Sequence, residues 1–253
     1  MTSGANRISE VGAAQLADLN SGHAEARTLT EALAIDHLVL LAAVIPNAPA
    51  QLVSAVAEAQ SLGILKRMAA IGSALKHHLS SGDLAALAIH PSDTVRGWWC
   101  FATASSATDG NAALLAACRP LADDNCFTVR EWVWMAARPK LVTDLEESIA
   151  LLTPWTSEPS ANLRRFASES LRPRGVWASH IAALKTNPAL GEPLLEPLRS
   201  DPSRYVQDSV ANWINDASKT SPEWAKELCS RWSTESTTPE TARITSRALR
   251  SLK

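Results

Sequence analysis

At 253 residues and a formal net charge of -2, the chain is long enough for one or two compact domains and too neutral for indiscriminate attraction to nucleic acid. Its Ala- and Leu-rich, Gly-poor sequence offers almost no alternating strand pattern, which leaves an all-α fold as the expectation. Cys100, Cys118, Cys126 and Cys229 form no CxxC pair, and with no secretory leader ahead of them they read as reduced thiols of a cytoplasmic protein.

Taken in chain order, residues 1–22 mix Ser, Gly, Asn and Ala without strong periodicity and are expected to be poorly ordered, ahead of a single repeat domain over residues 23–253. Residues 28–44 open with a Thr-x-x-Glu capping signal, Thr28 and Glu31, and carry Leu29, Leu33, Leu40, Leu41 and Val44 on one helical stripe that Pro46 and Pro49 end. The most apolar run, residues 38–45, is far too short to cross a bilayer, so no membrane partner is expected. Residues 50–79 supply two more helices, with Gly72 allowing close packing. His77 and His78 point to different helix faces with no third ligand near, which reads as a solvated pair and not a metal site.

His90-Pro91 opens the first of four aligned segments, SDTVRGWWCFAT, CFTVREWVWMAA, SANLRRFASESL and SRYVQDSVANWI. Anchored on Val95, Val129, Leu163 and Val206, they are spaced by 34, 34 and 43 residues, the sign of a helical-hairpin solenoid. Apolar or small residues recur at offsets 0, 3, 4 and 7: Val95, Trp98, Trp99, Ala102; Val129, Trp132, Val133, Ala136; Leu163, Phe166, Ala167, Ser170. Each anchor is followed by Arg96, Arg130, Arg164 and finally Gln207, so one edge of the stack would carry a ladder of guanidinium groups. The spacing predicts a helix over residues 111–122, an Asp124-Asn125 cap on a helix running to Arg138-Pro139, and outer helices over 141–152, 177–185 with 190–198, and 222–232. Repeats are thus expected near 83–104, 111–138, 142–172 and 177–219. A polar loop over 233–239 and a weaker helix over 241–252 complete a capping repeat at 222–252.

The segment RYVQDSVANWINDASK, residues 204–219, has the clearest pattern, with Asp201-Pro202 as its expected cap and first turn. Val206, Val210, Trp213, Ile214 and Ala217 form a buried stripe. Asp208, Asn212, Asn215 and Lys219 gather on the other side, and Asp and Asn, poor helix formers, point to a role beyond helix stability. Residues 162–185 form a basic patch, with Arg164, Arg165, Arg172, Arg174 and Lys185 against Glu169 alone.

From spacing alone Glu131 reads either as a salt-bridge partner for Arg96 or Arg164 or as a functional carboxylate, and Asp216 is equally ambiguous beside Lys219. Trp177 follows RPRGVW, where Pro173 and Gly175 break the helix between two arginines, a plausible stacking platform. Most of the nine tryptophans, such as Trp99, Trp132 and Trp213, match core positions; Trp177 and Trp134 do not.

The blocks LGILKRMAAIGSAL, TVREWVWMAARPKL, NLRRFASESLRPRGVW and YVQDSVANWINDASK, in this order, resemble the DNA alkylation-repair glycosylases of the AlkC and AlkD superfamily, and look closest to its AlkC branch. The resemblance runs over residues 28–252. It implies a C-shaped stack of HEAT-like repeats with double-stranded DNA against a concave basic surface, and excision of cationic N-alkylated bases, chiefly 3-methyladenine, by cleavage of the N-glycosidic bond without a cofactor. It carries the acidic catalytic positions onto Glu131 in VREW and Asp216 in NDASK, and the active-site aromatic onto Trp177, all expected to face one basic concavity. Arg96, Arg130, Arg164, Arg165, Arg172, Arg174 and Lys219 become the implied phosphate contacts of a monomeric enzyme. Two positions depart from the family's pattern, Gln207 in place of Arg and Phe166 in place of Trp, and no immunoglobulin-like module is expected after the last helix. Two other readings compete: a non-catalytic HEAT scaffold binding DNA or protein, and a glycosylase for bulky alkyl adducts.

Overall fold

The computed structural model describes residues 4–106, 110–175 and 177–252. Residues 1–3 of the leader and Val176 of the RPRGVW motif lie outside the described residues. No strand occurs among them, and no helix of theirs is long and apolar enough to cross a membrane. The chain divides into two compact units, Met1–Ala137 and Arg138–Lys253, where the sequence reading expects one repeat domain.

The first unit holds α1 (Ala13–Asn20), α2 (Leu29–Ala34), α3 (His37–Val44), α4 (Ala50–Ala59), α5 (Ile64–His78), α6 (Ser81–Ala86), α7 (Asp93–Ser106), α8 (Gly110–Ala122) and most of α9 (Phe127–Leu141). The leader is helical over α1, contrary to expectation. It is also tied down, since Glu31 Oε1 accepts the Ala5 N–H at 3.2 Å and Thr28 donates to the Ala5 carbonyl at 2.8 Å. The single helix expected over 28–44 is broken at Ile35, which is extended, because Asp36 caps a new helix by accepting from Leu38 and Val39 at 2.9 and 3.2 Å. α5 packs against α4 on one side and α7 on the other. The approach is close enough that a Cβ on Gly72 would stand 2.6 Å from the Ala102 backbone nitrogen, and one on Gly97 2.6 Å from the Trp132 ring of α9.

The second unit holds α10 (Leu145–Leu152), α11 (Ala161–Glu169), α12 (Ala182–Thr186), α13 (Glu192–Leu195), α14 (Arg204–Ser218), α15 (Pro222–Glu235) and α16 (Pro239–Ala248). α11, α14 and α16 pack side by side in chain order, and α15 backs α14 and α16. Pro188, Pro193 and Pro197 chop residues 182–198 into short helical pieces, and residues 177–181 form no helix, so the outer helix expected there is replaced by a loop. α15 reaches Glu235, three residues into the expected polar loop.

The anchors behave as read: Val95, Trp98, Ala102, Val129, Val133, Ala167, Val206, Val210, Trp213, Ile214 and Ala217 are fully buried. Trp99 is only half-buried, and Trp134, expected outside the core, is 1% exposed.

The ladder of arginines has a physical use the sequence did not disclose. Arg96 donates to the carbonyls of His90 and Pro91 at 2.6 and 3.0 Å, Arg130 to those of Asp124 and Asn125 at 2.6 and 2.9 Å, and Arg164 to those of Glu158 and Pro159, both at 2.8 Å. Each guanidinium therefore ties off the loop six and five residues before it, giving partners to carbonyls that precede the helix. Gln207 does the same at its repeat, donating to the Asp201 carbonyl at 2.8 Å, so its departure from Arg keeps the clamp. The loops also link repeats through side chains, since Arg96 pairs with Asp124 at 3.0 Å and Arg164 with Asp201 at 2.6 Å. Asp201 accepts the Ser203 N–H at 2.8 Å ahead of α14, which begins at Arg204 and not at Pro202.

A candidate active site in the second unit

α11 ends at Glu169 and the chain turns through Leu171, Arg172 and Pro173 into the loop that carries Trp177. Arg172, 8% exposed, lies between two buried carboxylates: its Nη1 donates to Glu169 Oε1 at 2.7 Å, while Nε and Nη2 both reach Asp216 Oδ2 on α14, at 3.0 and 2.7 Å. Ser209 donates to Glu169 Oε2 at 2.7 Å, and Arg165 approaches the same oxygen at 3.6 Å while covering the Tyr205 ring at 4.5 Å. Burial pushes the Glu169 carboxyl up, but Arg165, Arg172 and the Ser209 hydroxyl together outweigh it and hold the group below its ordinary range. The salt-bridge reading of Asp216 through Lys219 is thus the minor part of its environment: Lys219 is 3.4 Å from Oδ1, and Arg172 is the close partner.

Arg138, on the last turn of α9 and 3% exposed, donates to the carbonyls of Ser170 at 2.9 Å, Arg172 at 2.6 Å and Ser179 at 3.0 Å. It fastens both ends of the 172–179 loop. Burial, with the nearby charge of Arg172, lowers it to about 10, still a cation at neutral pH. Between those ends Trp177 is 43% exposed with φ of 60°, a left-handed conformation unfavourable for a bulky side chain, costing about 1–3 kcal/mol. Arg174 donates to the Asp216 main-chain carbonyl at 3.1 Å. Arg174, Arg172, Glu169, Asp216 and Lys219 thus belong to one neighbourhood of the second unit, and Trp177 lies on the loop that leaves it.

Glu131 lies in the first unit, half-buried on α9, where Trp134 Nε1 donates to its Oε2 at 2.7 Å. The ion pairs of Arg96 and Arg164 go elsewhere, to Glu25 and Asp124 and to Asp201. Of the seven basic residues assigned to phosphate, Arg96, Arg130 and Arg164 are occupied in loop clamps, Arg172 is enclosed by carboxylates, and Arg165 covers Tyr205; Arg174 and Lys219 are the more accessible. Sequence reasoning missed Glu169 and Arg138. Glu169 carried a signal as the sole acid in a run of five cations, whereas Arg138 looked like an ordinary helix end. Phe166 stacks on Trp155 at 5.2 Å inside the core. No group of side chains able to hold a metal occurs among the described residues.

No family model matches the chain. An uncharacterized protein, YhaZ, of Bacillus subtilis (strain 168) is 43% identical over 126 residues, half of this chain and 35% of that protein's length. Among solved structures, the Pseudomonas fluorescens alkylpurine DNA glycosylase AlkC, bound to DNA containing an abasic site analog, is matched over 98% of this chain at 26% identity with a TM-score of 0.70. The chain has the AlkC fold. It spans 65% of that AlkC chain. AlkD2 from Streptococcus mutans, at 20% identity and a TM-score of 0.62, and smu.31 from Streptococcus mutans UA159, at 22% and 0.61, share the architecture over 79% and 77% of this chain and nearly all of theirs. The resemblance to the AlkC and AlkD superfamily read from the sequence blocks stands, with its HEAT-like, all-α class.

Proposed function

We propose that the chain is a DNA glycosylase that removes cationic N-alkylated bases, of the 3-methyladenine type, by hydrolysing the N-glycosidic bond. One observation supports this most: buried Glu169 and Asp216 joined by Arg172 beside a strained, exposed Trp177, in a chain with the fold of an alkylpurine DNA glycosylase.

An N-alkylated base is already positively charged in DNA and departs as a neutral molecule, so no general acid has to protonate it. The barrier is the charge that gathers on the sugar as the bond opens, and a carboxylate fixed in advance stabilises that charge without reorganising. Asp216 takes this part. Its Oδ2 receives both Arg172 bonds, and Oδ1, 3.4 Å from Lys219, is the oxygen assigned to the sugar and the attacking water. Glu169 is a positioning residue that holds Arg172 from behind. Glu131, its Oε2 held by Trp134, is the second catalytic carboxylate. Trp177 stacks on the cationic nucleotide, and Arg174 and Lys219 meet phosphates of the duplex without reading sequence. No cofactor enters the reaction.

The test is release of free 3-methyladenine from methylated duplex DNA by the purified protein, without metal or nucleotide. Asp216→Asn and Glu131→Gln are expected to lose on the order of a hundredfold in rate, the scale of removing one preorganised electrostatic group. Full activity in both variants would remove the carboxylate assignment, and no release by the unaltered chain would leave the scaffold reading.

A further inference from the structure

The polar side of α14 has an occupant. Asp208 Oδ1 accepts from Arg243 at 2.7 Å and forms an ion pair with Arg247 at 3.0 Å, Gln207 Oε1 accepts from Arg243 at 3.1 Å, and Asn212 Oδ1 accepts from Arg250 at 2.9 Å. Asn215, expected on a solvated face, is 2% exposed; it donates to the Ala248 carbonyl at 2.9 Å and so ends α16. The Asp and Asn residues that weaken α14 as a helix are therefore a rack that holds α16 and its arginines in register.

From this rack we infer that Arg243, Arg247 and Arg250 form a phosphate-binding row for one strand of a DNA duplex, leading to the candidate site. The inference rests on the glycosylase reading and extends it to the last helix. Arg243 and Arg247 stand four residues apart on α16, about 6 Å along its axis, and Arg250 follows in the turn just past the helix end, a row long enough to meet more than one phosphate of a strand. Among the described residues the ion pairs of Arg243 and Arg247 both end on Asp208, and Arg250 is bound by the neutral Asn212 amide, so the row keeps an excess of positive charge. The row is accessible: Arg243 and Arg247 side chains are 27% and 45% exposed, and Arg250 is exposed. It also has a direction. Ser251, the residue after Arg250, donates to Asn215 Oδ1 at 3.3 Å, and Asn215 is the neighbour of Asp216 on α14, so the end of the row leads towards the carboxylate assembly.

The experiment is a salt titration of binding to an undamaged duplex, with the full chain. The double variant Arg247→Ala and Arg250→Ala should lower the slope of log K against log salt by about 1.8, since each phosphate contact contributes about 0.9. Asp208→Asn has the opposite sign: removing the shared negative charge while keeping the hydrogen-bonding shape should tighten binding. A double variant that binds with an unchanged slope would overturn the row, as would an Asp208→Asn variant that binds more weakly than the parent, because the rack would then be only a strut. Failure of the parent chain to bind any duplex would instead sink the glycosylase reading, so the two failures are distinguishable.

Discussion

His37 is fully buried at the start of α3, and Trp98 Nε1 donates to its Nδ1 at 3.0 Å, which fixes that nitrogen as an acceptor and the ring as neutral. Burial, reinforced by the charge of Arg67, lowers its pKa from 6.5 to about 4. In the unfolded chain the ring takes up its proton near pH 6.5, before the folded chain can, so the stability it contributes is complete above that pH and is lost as pH falls towards 4, about 3 kcal/mol in full. Thermal unfolding should therefore shift downward between pH 7 and 5 more for the parent than for His37→Gln, whose amide oxygen can still accept from Trp98. Equal acid sensitivity would show that the ring is not the titrating group. Glu169 has the same sign in a more acidic window: its carboxyl is held below the ordinary range, so its contribution is present above that range and is lost as pH falls through the folded value. Glu169→Gln should flatten the acid limb of the stability curve below about pH 4.

The element scale shows how far the sequence could be read. A stripe of period 3.6 fixed the inner helices because burial of large side chains decides them, and Val206, Trp213 and Ile214 lie where the stripe puts them. The loop that carries Trp177 was not legible, since its ends are held by Arg138, which comes from a helix some forty residues away and binds main-chain carbonyls that carry no sequence signature. The arginine ladder was visible, but its clamping of the loops was not, for a similar reason: a cation bound to loop carbonyls reads in sequence like a cation awaiting phosphate. Arg164→Ala accordingly should cost about 2 kcal/mol of stability, the scale of losing charge-assisted hydrogen bonds, and leave the salt dependence of DNA binding unchanged. A lowered salt slope with unchanged stability would restore it as a phosphate contact. Arg138→Lys retains charge but cannot bridge three carbonyls, so faster amide exchange across residues 174–181 should accompany a lower excision rate at unchanged duplex affinity.

For the molecule as a whole, the AlkC fold and the bridged carboxylates meet in a single claim, that a preorganised Asp216 stabilises a sugar losing a cationic base. Glu131 and Asp216 were both legible as candidates, but Glu169 was not, because a lone acid among four arginines and a lysine looks like charge balance until Arg172 is seen to connect it to Asp216. The row on α16 was hidden for the same reason, its arginines being matched to α14 across some 35 residues of intervening chain. The deciding measurement is the single-turnover rate of 3-methyladenine release at saturating methylated duplex, for the parent and for Asp216→Asn, with duplex affinity measured on the same preparations. A fall of about a hundredfold in rate with affinity within a few-fold of the parent is predicted. An Asp216→Asn variant that releases the base as fast as the parent would contradict the assignment.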